Sequence, residues 1–322
     1  LLERENVTIL NAALANLARA ATRAFEEAIE SSGLGARLFM SQNDGTLMSS
    51  ETARRMPVLC FTSGPTNSMR GAAHLSGLKD AMVIDVGGTS SDIGVLRNGF
   101  PREANTVVEV GGVRTLFRMP DVMSLALGGG TRVRENPLRL GPDSVGYALT
   151  REARVFGGNQ LTSTDVAVAS GLLALGDAGR VHDVAPQTRE WFMREVRGLI
   201  EEGIDRMKTQ AGDVPLIAVG GGSFLVPRDL RGVSEVVAVD HHDVANAVGA
   251  AIAQVGGEVD QVYENVAREE AISDATGRAI RRAVEQGADP RSVTIVEVED
   301  LPLSYVAGNT RRIRARAVGD LA

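Results

Sequence analysis

The stretch Met82–Val95, M-V-I-D-V-G-G-T-S-S-D-I-G-V, leaves a chain few choices. Met82–Val86 is a short apolar run with one carboxylate, Asp85, near its end, the pattern of a buried strand. Gly87 and Gly88 come next, the residue type a backbone needs where it turns tightly or approaches a ligand closely. Thr89, Ser90 and Ser91 then offer hydroxyls and backbone N–H groups able to cradle phosphate oxygens. A P-loop or a dinucleotide fingerprint would open a helix at this point. Here Asp92–Leu96 reads instead as a second strand, Asn98-Gly99 as a hairpin turn and Thr106–Val110 as a third strand. A glycine-rich turn between two strands of one antiparallel hairpin is a phosphate loop of a different kind. A plain structural turn, with Asp85 capping backbone N–H groups, is the alternative reading of the same residues.

Length and charge narrow the rest. A chain of 322 residues predicts about two domains. With 43% hydrophobic and 23% charged residues the class is globular. The net charge of −7, with no strong basic block, argues against a nucleic-acid partner. A single cysteine, Cys60, excludes an internal disulfide framework and fits a reducing compartment. It lies in the apolar run Val58–Phe61, read as a strand, where a buried inert thiol is set against a nucleophile. No stretch approaches the roughly 20 apolar residues of a membrane span and no signal peptide is visible, so a cytoplasmic chain without a membrane partner is expected. The chain opens on Leu1 with a helix almost at once, which implies that preceding sequence has been removed.

Leu10, Leu14, Leu17, Ala21, Phe25 and Ala28 recur at spacings of three and four, predicting an amphipathic helix over Thr8–Ile29 that needs a partner surface. Arg37–Ser41 reads as a strand, Asn43-Asp44-Gly45 as a turn, and Ser49–Arg55 as one or two helical turns capped by Ser49 or Ser50. Ser63-Gly64-Pro65 links the Val58–Phe61 strand to a helix over Thr66–Leu75, which is either a tight turn or an anion site at a helix N-terminus. Leu125–Thr131, L-A-L-G-G-G-T, carries more glycine than a turn requires and suggests backbone approach to a ligand at Gly128, Gly129 and Gly130. A polar, proline-containing stretch runs on to Asn159. Helices are expected over Ser163–Leu175, capped by Ser163 or Thr164, and over Thr188–Ala211, with Trp191, Phe192, Val196, Leu199, Ile204 and Met207 as a buried stripe.

Leu216–Val219 and Val236–Val239 read as buried strands, continued respectively by Gly220-Gly221-Gly222-Ser223 and by Asp240-His241-His242-Asp243. A small-residue helix over Val244–Val255, a charged helix over Glu264–Gln286, and two strands, Ser292–Val298 and Arg311–Val318, complete the chain. Asp240 stands about 20 residues after the second glycine run, where a Rossmann acid would bind ribose. The spacing G-G-G-S and the proline at Pro227 oppose that reading. His241 and His242 are of metal-ligating type, but adjacent residues on an extended segment point opposite ways. Asp243 is better suited to capping the next helix. No G-x-S-x-G elbow is present, leaving Asp85 and Asp92 as the carboxylates of interest. An acid at a phosphate turn, Asp85 first, suits Mg²⁺, which keeps several waters and takes one or two carboxylates beside phosphate.

Taken in order, S-G-P-T (Ser63–Thr66), I-D-V-G-G-T-S-S-D-I (Ile84–Ile93), E-V-G-G (Glu109–Gly112), L-G-G-G-T (Leu127–Thr131) and V-G-G-G-S (Val219–Ser223) resemble the hydantoinase A/oxoprolinase family of the actin-like ATPase superfamily. The resemblance covers Leu1 to Gly256. It implies an α/β actin-like (ribonuclease H-like) ATPase lobe, a mixed sheet flanked by helices, here with a C-terminal helix and strand extension. It further implies ATP and Mg²⁺ in a cleft between two lobes, and a small cyclic amide or ketone activated by phosphorylation. By matching motif, Asp85–Asp92 becomes the second phosphate loop, with Gly87, Gly88, Thr89 and Ser90 on phosphate, and Gly220, Gly221, Gly222 and Ser223 the adenosine loop.

The same resemblance implies an N-terminal domain ahead of this chain, carrying the first phosphate loop and metal-binding His and acidic residues, and a second hydantoinase-type subunit as partner. Residues Arg132–Asn159 are shorter and less typical than in large members. The expected division is a segment 1–75 joining the absent lobe, a nucleotide-binding lobe 76–256 and an extension 257–322. Two functions are carried forward. One is the nucleotide-binding part of an ATP-dependent hydrolase of cyclic amides, of hydantoin or 5-oxoproline type. The other is a non-catalytic nucleotide-binding regulatory or scaffolding subunit. On either, this chain alone is expected to bind nucleotide weakly and turn over almost nothing.

Overall fold

The computed structural model describes residues 2–104, 108–117, 119–304 and 308–322. In chain order the elements begin α1 (Leu2–Ser31), β1 (Phe39–Ser41), β2 (Leu47–Ser49), α2 (Ser50–Arg55), α3 (Ser63–Ser76), β3 (Ala81–Val86), β4 (Ser91–Arg97) and β5 (Phe100–Pro101). They continue with β6 (Val108–Val110), β7 (Val113–Thr115), β8 (Val122–Leu125), β9 (Thr131–Glu135), β10 (Leu138–Ser144), α4 (Leu149–Glu152), α5 (Ser163–Ala169) and α6 (Pro186–Met207). The last are β11 (Val214–Val219), β12 (Val233–Ala238), α7 (Ala245–Ala251), β13 (Val255–Glu264), α8 (Arg268–Glu285), β14 (Thr294–Pro302) and β15 (Thr310–Gly319). Contacts divide them into two units: Leu1–Ser63 with Asn105–Met119 and Ile252–Ala322, and Gly64–Ala104 with Pro120–Ala251.

The second unit is built on a mixed sheet in the order β12-β11-β3-β4-β5, with β8 also paired to β4. Strands β12, β11 and β3 are parallel, and β4 returns antiparallel to β3. Residues of β3 alternate between two apolar layers: Met82, Ile84 and Val86 face one, Ala81 and Val83 the other. A strand apolar on both sides is what a sheet covered on both faces demands. The first layer is closed by α6, whose Phe192, Val196, Ile200 and Ile204 are buried at a spacing of four. Each such side chain contributes about 1.5–3 kcal/mol on burial. The second layer is closed by α3 through Met69 and Ala72. Helices α3 and α7 touch backbone to backbone, since a Cβ added at Gly71 would stand 1.9 Å from the Ala245 carbonyl oxygen and one at Gly249 1.8 Å from that of Asn67. The small residues of α7 therefore let it pack against another helix. Asn98 and Gly99 are both left-handed, with φ of 52° and 79°, the requirement of a type I′ hairpin turn.

The first unit carries a five-stranded sheet in the order β1-β2-β13-β15-β14. Helix α8 covers one face, burying Ala271, Ala275, Ala279 and Ala283 against Val259, Ile313, Ala315 and Ala317. Helix α1 packs on α2, β7 and the turn at 57–60. Asn11 holds it there, donating to the Arg55 carbonyl at 3.0 Å and accepting from the Val58 N–H at 3.2 Å. Leu10 and Leu14 face inward, whereas Leu17 (68% exposed) and Phe25 (53%) lie outward.

Several expected elements are corrected. Val58–Phe61 is no strand: Pro57–Cys60 forms a 3-10 turn opened by proline, and so short a run carries no period of its own. Burial nonetheless pushes the Cys60 thiol up, toward the unreactive form. Helix α3 starts at Ser63, so Ser-Gly-Pro is its first turn rather than a linker. Helix α5 is seven residues long and capped by Thr162, whose hydroxyl and Asp165 form a capping box, not by Ser163 or Thr164. Val255 opens a strand rather than closing a helix, and α8 begins at Arg268. Of the expected strand Thr106–Val110, residues 106 and 107 lie outside the described residues. Val108–Val110 pairs with Val113–Thr115 away from the main sheet, and Glu109–Gly112 there is a hairpin turn with two left-handed glycines. Among the described residues no helix is long and apolar enough to cross a membrane.

Candidate functional site

Three parallel strands, β3, β11 and β12, end side by side, and open α/β sheets bind ligands outside such carboxyl ends. The strands run out, respectively, into the glycine turn Gly87-Gly88, the run Gly220–Gly222 and the segment Val239–His242. The turn after β3 is closed by Gly87 N–H donating to the Ser90 carbonyl at 2.9 Å. Among the described residues, the N–H groups of Gly88, Thr89 and Ser90 donate to no protein acceptor. Gly88 and Thr89 are exposed. Backbone donors left unspent together in one turn are the chemistry that an anion site requires.

At the base of the same hairpin Asp85 and Asp92 stand directly opposite each other. Cross-strand partners project from one face, so the two carboxylates share it. Ser124, opposite Asp92 on β8, donates its hydroxyl to Asp92 Oδ1 at 2.5 Å. Burial pushes the Asp92 carboxyl above the ordinary aspartate range; the Ser124 hydrogen bond opposes this, and the neighbouring Asp85 charge adds to it. An arrangement that tolerates two close carboxylates beside free N–H donors suits an anion accompanied by a cation. Among the described residues no group of three or more His, Cys, Asp or Glu side chains could hold a metal ion. A cation here would take Asp85, Asp92 or both, and complete its shell from water and ligand.

The other glycine runs converge on this hairpin. Gly129 N–H donates to the Gly87 carbonyl at 3.0 Å and Gly130 N–H to that of Gly88 at 2.7 Å. A Cβ at Gly128 would lie 2.7 Å from Thr89 N, and one at Gly130 2.9 Å from the Gly88 oxygen. From the opposite side Gly222 N–H donates to the Val86 carbonyl at 2.7 Å. Gly220, left-handed at φ +88°, would place a Cβ 2.3 Å from Asp85 Oδ1. Gly221 alone of that run has nothing within 4 Å of such a Cβ and is exposed. Thus Asp85, Gly87, Gly88, Thr89, Ser90, Asp92, Gly128, Gly129, Gly130, Gly220, Gly221, Gly222 and Ser223 form one neighbourhood in the second unit.

Two participants were not singled out for this neighbourhood from the sequence. Ser144, at the end of β10, donates to the Gly88 carbonyl at 3.3 Å and accepts from Gly146 N–H at 3.0 Å. The bracket Gly141–Gly146, two left-handed glycines around a serine, was the available signal. His242 is the other: its Nδ1 lies 3.0 Å from Ser223 Oγ and 3.2 Å from the Gly220 carbonyl. His241, its exposed neighbour, is left-handed at φ 60°, and Asp243 sits inside the 3-10 turn His242–Val244 rather than capping α7.

A family model described as Hydantoinase/oxoprolinase matches residues 4–177, more than half of the chain. No curated protein sequence matches it. Among solved structures, one of acetone carboxylase, a nucleotide-free form from work on ATP-dependent acetone carboxylation, superposes with a TM-score of 0.70 at 16% identity over 93% of this chain and 55% of its own. The ATP-dependent caprolactamase from Pseudomonas jessenii superposes with a TM-score of 0.69 at 16% identity over 98% of this chain and 58% of its own. At such identity the likeness is one of fold, and the chain spans little more than half the length of either.

Proposed function

This chain belongs to the hydantoinase/oxoprolinase family, with its actin-like ATPase fold, and we propose that its second unit is the nucleotide-binding lobe of an ATP-dependent enzyme that activates a cyclic amide, of hydantoin or 5-oxoproline type, by phosphoryl transfer. The observation that carries the reading is the hairpin tip: free N–H groups at Gly88, Thr89 and Ser90, set above the Asp85–Asp92 pair. The named activities of acetone carboxylase and caprolactamase, both ATP-dependent, support it by analogy of fold. So does the chemistry of the donor set, which offers N–H groups to an anion and carboxylates to a cation within one turn.

When bound, ATP supplies the phosphoryl group that converts a poorly leaving amide oxygen into a good one, and Mg²⁺ supplies charge against it. The residues of this chain then have separable tasks. Gly88, Thr89 and Ser90 donate to phosphate oxygens. Asp85, with Asp92 beside it, holds Mg²⁺ directly or through water. Gly128–Gly130, buried with the Gly129 and Gly130 N–H groups bonded to the Gly87 and Gly88 carbonyls, support the hairpin from behind rather than approach a ligand as their sequence suggested. Gly220–Ser223 bring backbone to the nucleotide on its adenosine side. In that reading the complete enzyme clamps nucleotide between this lobe and a preceding one, and works with a second hydantoinase-type subunit.

Gly221→Val tests the site with little risk to the fold, because its side chain would enter open space. Calorimetry with Mg·ATP should show affinity reduced at least about tenfold, with the melting temperature unchanged. Asp85→Ala should lose the Mg²⁺ dependence of binding. Retained affinity in both variants would leave these glycines a plain turn.

A further inference from the structure

His242 has no task in that nucleotide site, although it closes the loop assigned to adenosine. Two contacts define it. Its backbone carbonyl accepts from Gly220 N–H at 2.8 Å, and its ring Nδ1 faces both the Gly220 carbonyl at 3.2 Å and Ser223 Oγ at 3.0 Å. The residue thus grips the loop at both ends, first residue and last. The imidazole is half-buried, as is Ser223.

A carbonyl oxygen only accepts, so the Gly220 contact is a hydrogen bond in the tautomer that carries the proton on Nδ1. An Nδ1–H donor can share that proton with Ser223 Oγ but cannot accept from it. In that tautomer the Ser223 hydroxyl hydrogen turns away from the ring and is left to donate elsewhere. The same contact fixes Gly220, which lies against Asp85 so closely that a Cβ would reach 2.3 Å from Oδ1. One imidazole therefore sets two things at once: the approach of the loop to the Asp85 carboxylate and the direction of the Ser223 donor.

We infer that His242, in its Nδ1–H form, is a positioning residue of the nucleotide site, bracing Gly220–Ser223 against β3 and presenting the Ser223 hydroxyl as a donor to a ribose or purine acceptor. This rests on the nucleotide reading of the second unit. It also accounts for a histidine that the sequence offered only as a metal-ligand candidate.

Asn and Gln separate the two ring nitrogens, because the Asn amide nitrogen occupies the Nδ1 position and the Gln amide nitrogen that of Nε2. Wild type, His242→Ala, His242→Asn and His242→Gln are compared by amide hydrogen exchange without ligand and by calorimetry with Mg·ATP. Exchange across 220–223 should rise in the Ala and Gln variants and stay near wild type in Asn. Affinity should follow the same order, falling at least about tenfold in Ala and Gln and recovering in Asn. Adding Ser223→Ala to His242→Ala should cost much less than its effect alone, since both act through one contact. Unchanged exchange in His242→Ala, or equal losses in Asn and Gln, overturns the brace. The predicted exchange pattern in a protein that shows no Mg·ATP binding overturns the nucleotide reading, and with it the role of the brace, while leaving the contact itself real.

Discussion

The two sheets of this chain solve opposite problems. The sheet of the second unit is apolar on both faces, and its strand ends are stripped of side chains: Gly87, Gly220 and Gly222 stand where backbone meets backbone. The sheet of the first unit is apolar only under α8. Its other face is a ladder of charge, with Arg312 bonded to Asp260, Arg314 to Glu299 and Asp260, and Arg316 to Glu297 and Asp44. In register, Arg314 stands between Asp260 on one side and Glu299 on the other, so opposite charges are interleaved across three strands. Each of these charges already has a partner within the unit. The hairpin does the reverse, placing two like charges opposite each other with unspent donors beside them. Function is legible where local pairing is left incomplete.

The largest effect is expected where the second unit has no slack. Gly71→Ala drives a Cβ into the Ala245 carbonyl at 1.9 Å, with rigid backbone on both sides. The helices must part, at a cost of about 1–3 kcal/mol, read as a lower urea midpoint. A loss below about 0.5 kcal/mol would mean that α3 and α7 do not pack as described.

A smaller effect, of opposite sign, comes from the carboxylate pair. The folded state raises the Asp92 pKa, so it holds that proton more tightly than the unfolded chain does. Below the ordinary aspartate value near 3.8 the group carries no penalty; as pH rises through the higher folded value the penalty appears in full. Asp92→Asn keeps an acceptor for Ser124 and removes a buried charge together with its repulsion from Asp85. It should therefore be more stable than wild type at neutral pH by about 0.2–1 kcal/mol, with the gain vanishing in acid. Urea titrations at both pH values check this, and a destabilised variant at neutral pH would mean that the folded state does not penalise the Asp92 charge.

The smallest effect belongs to the ladder. Arg312→Met removes an ion pair that is 44% and 32% exposed on its two sides, and should cost no more than about 1 kcal/mol in low salt and less in high salt. Nucleotide affinity should not move. A drop in affinity would erase the distinction between a self-satisfied sheet and a binding one.

Much of the second unit could be read before any coordinates. Strands β3, β4 and β11 announce themselves by apolar runs ended by glycine or a hairpin dipeptide, β12 by an apolar run ended at Asp240-His241, and α6 by its four-residue stripe. Less of the first unit could. Strand β13 alternates Val255, Gly257 and Val259 with Gly256, Glu258 and Asp260, and the glycines hide the period. Gly257 is needed only because Ala279 and Ala283 of α8 lie against it, 2.3 Å from an added Cβ, which no local pattern reveals. The same limit applies at the site. Its glycines were visible as runs, but their convergence depends on hydrogen bonds such as Gly130 to Gly88 that join distant segments. Ser144 and His242 reach it from 56 residues and 19 residues away in sequence, and a hydroxyl or an imidazole in a loop carries no period.

Amide hydrogen exchange of the whole chain, with and without saturating Mg·ATP, tests the central claim most directly. Ligand should protect 86–90, 128–130 and 220–223 together, in the second unit, and leave the ladder strand 310–319 of the first unit unchanged. Protection of the ladder with none at the hairpin, or no difference anywhere at saturating Mg·ATP, would contradict the assignment of this hairpin as the phosphate site.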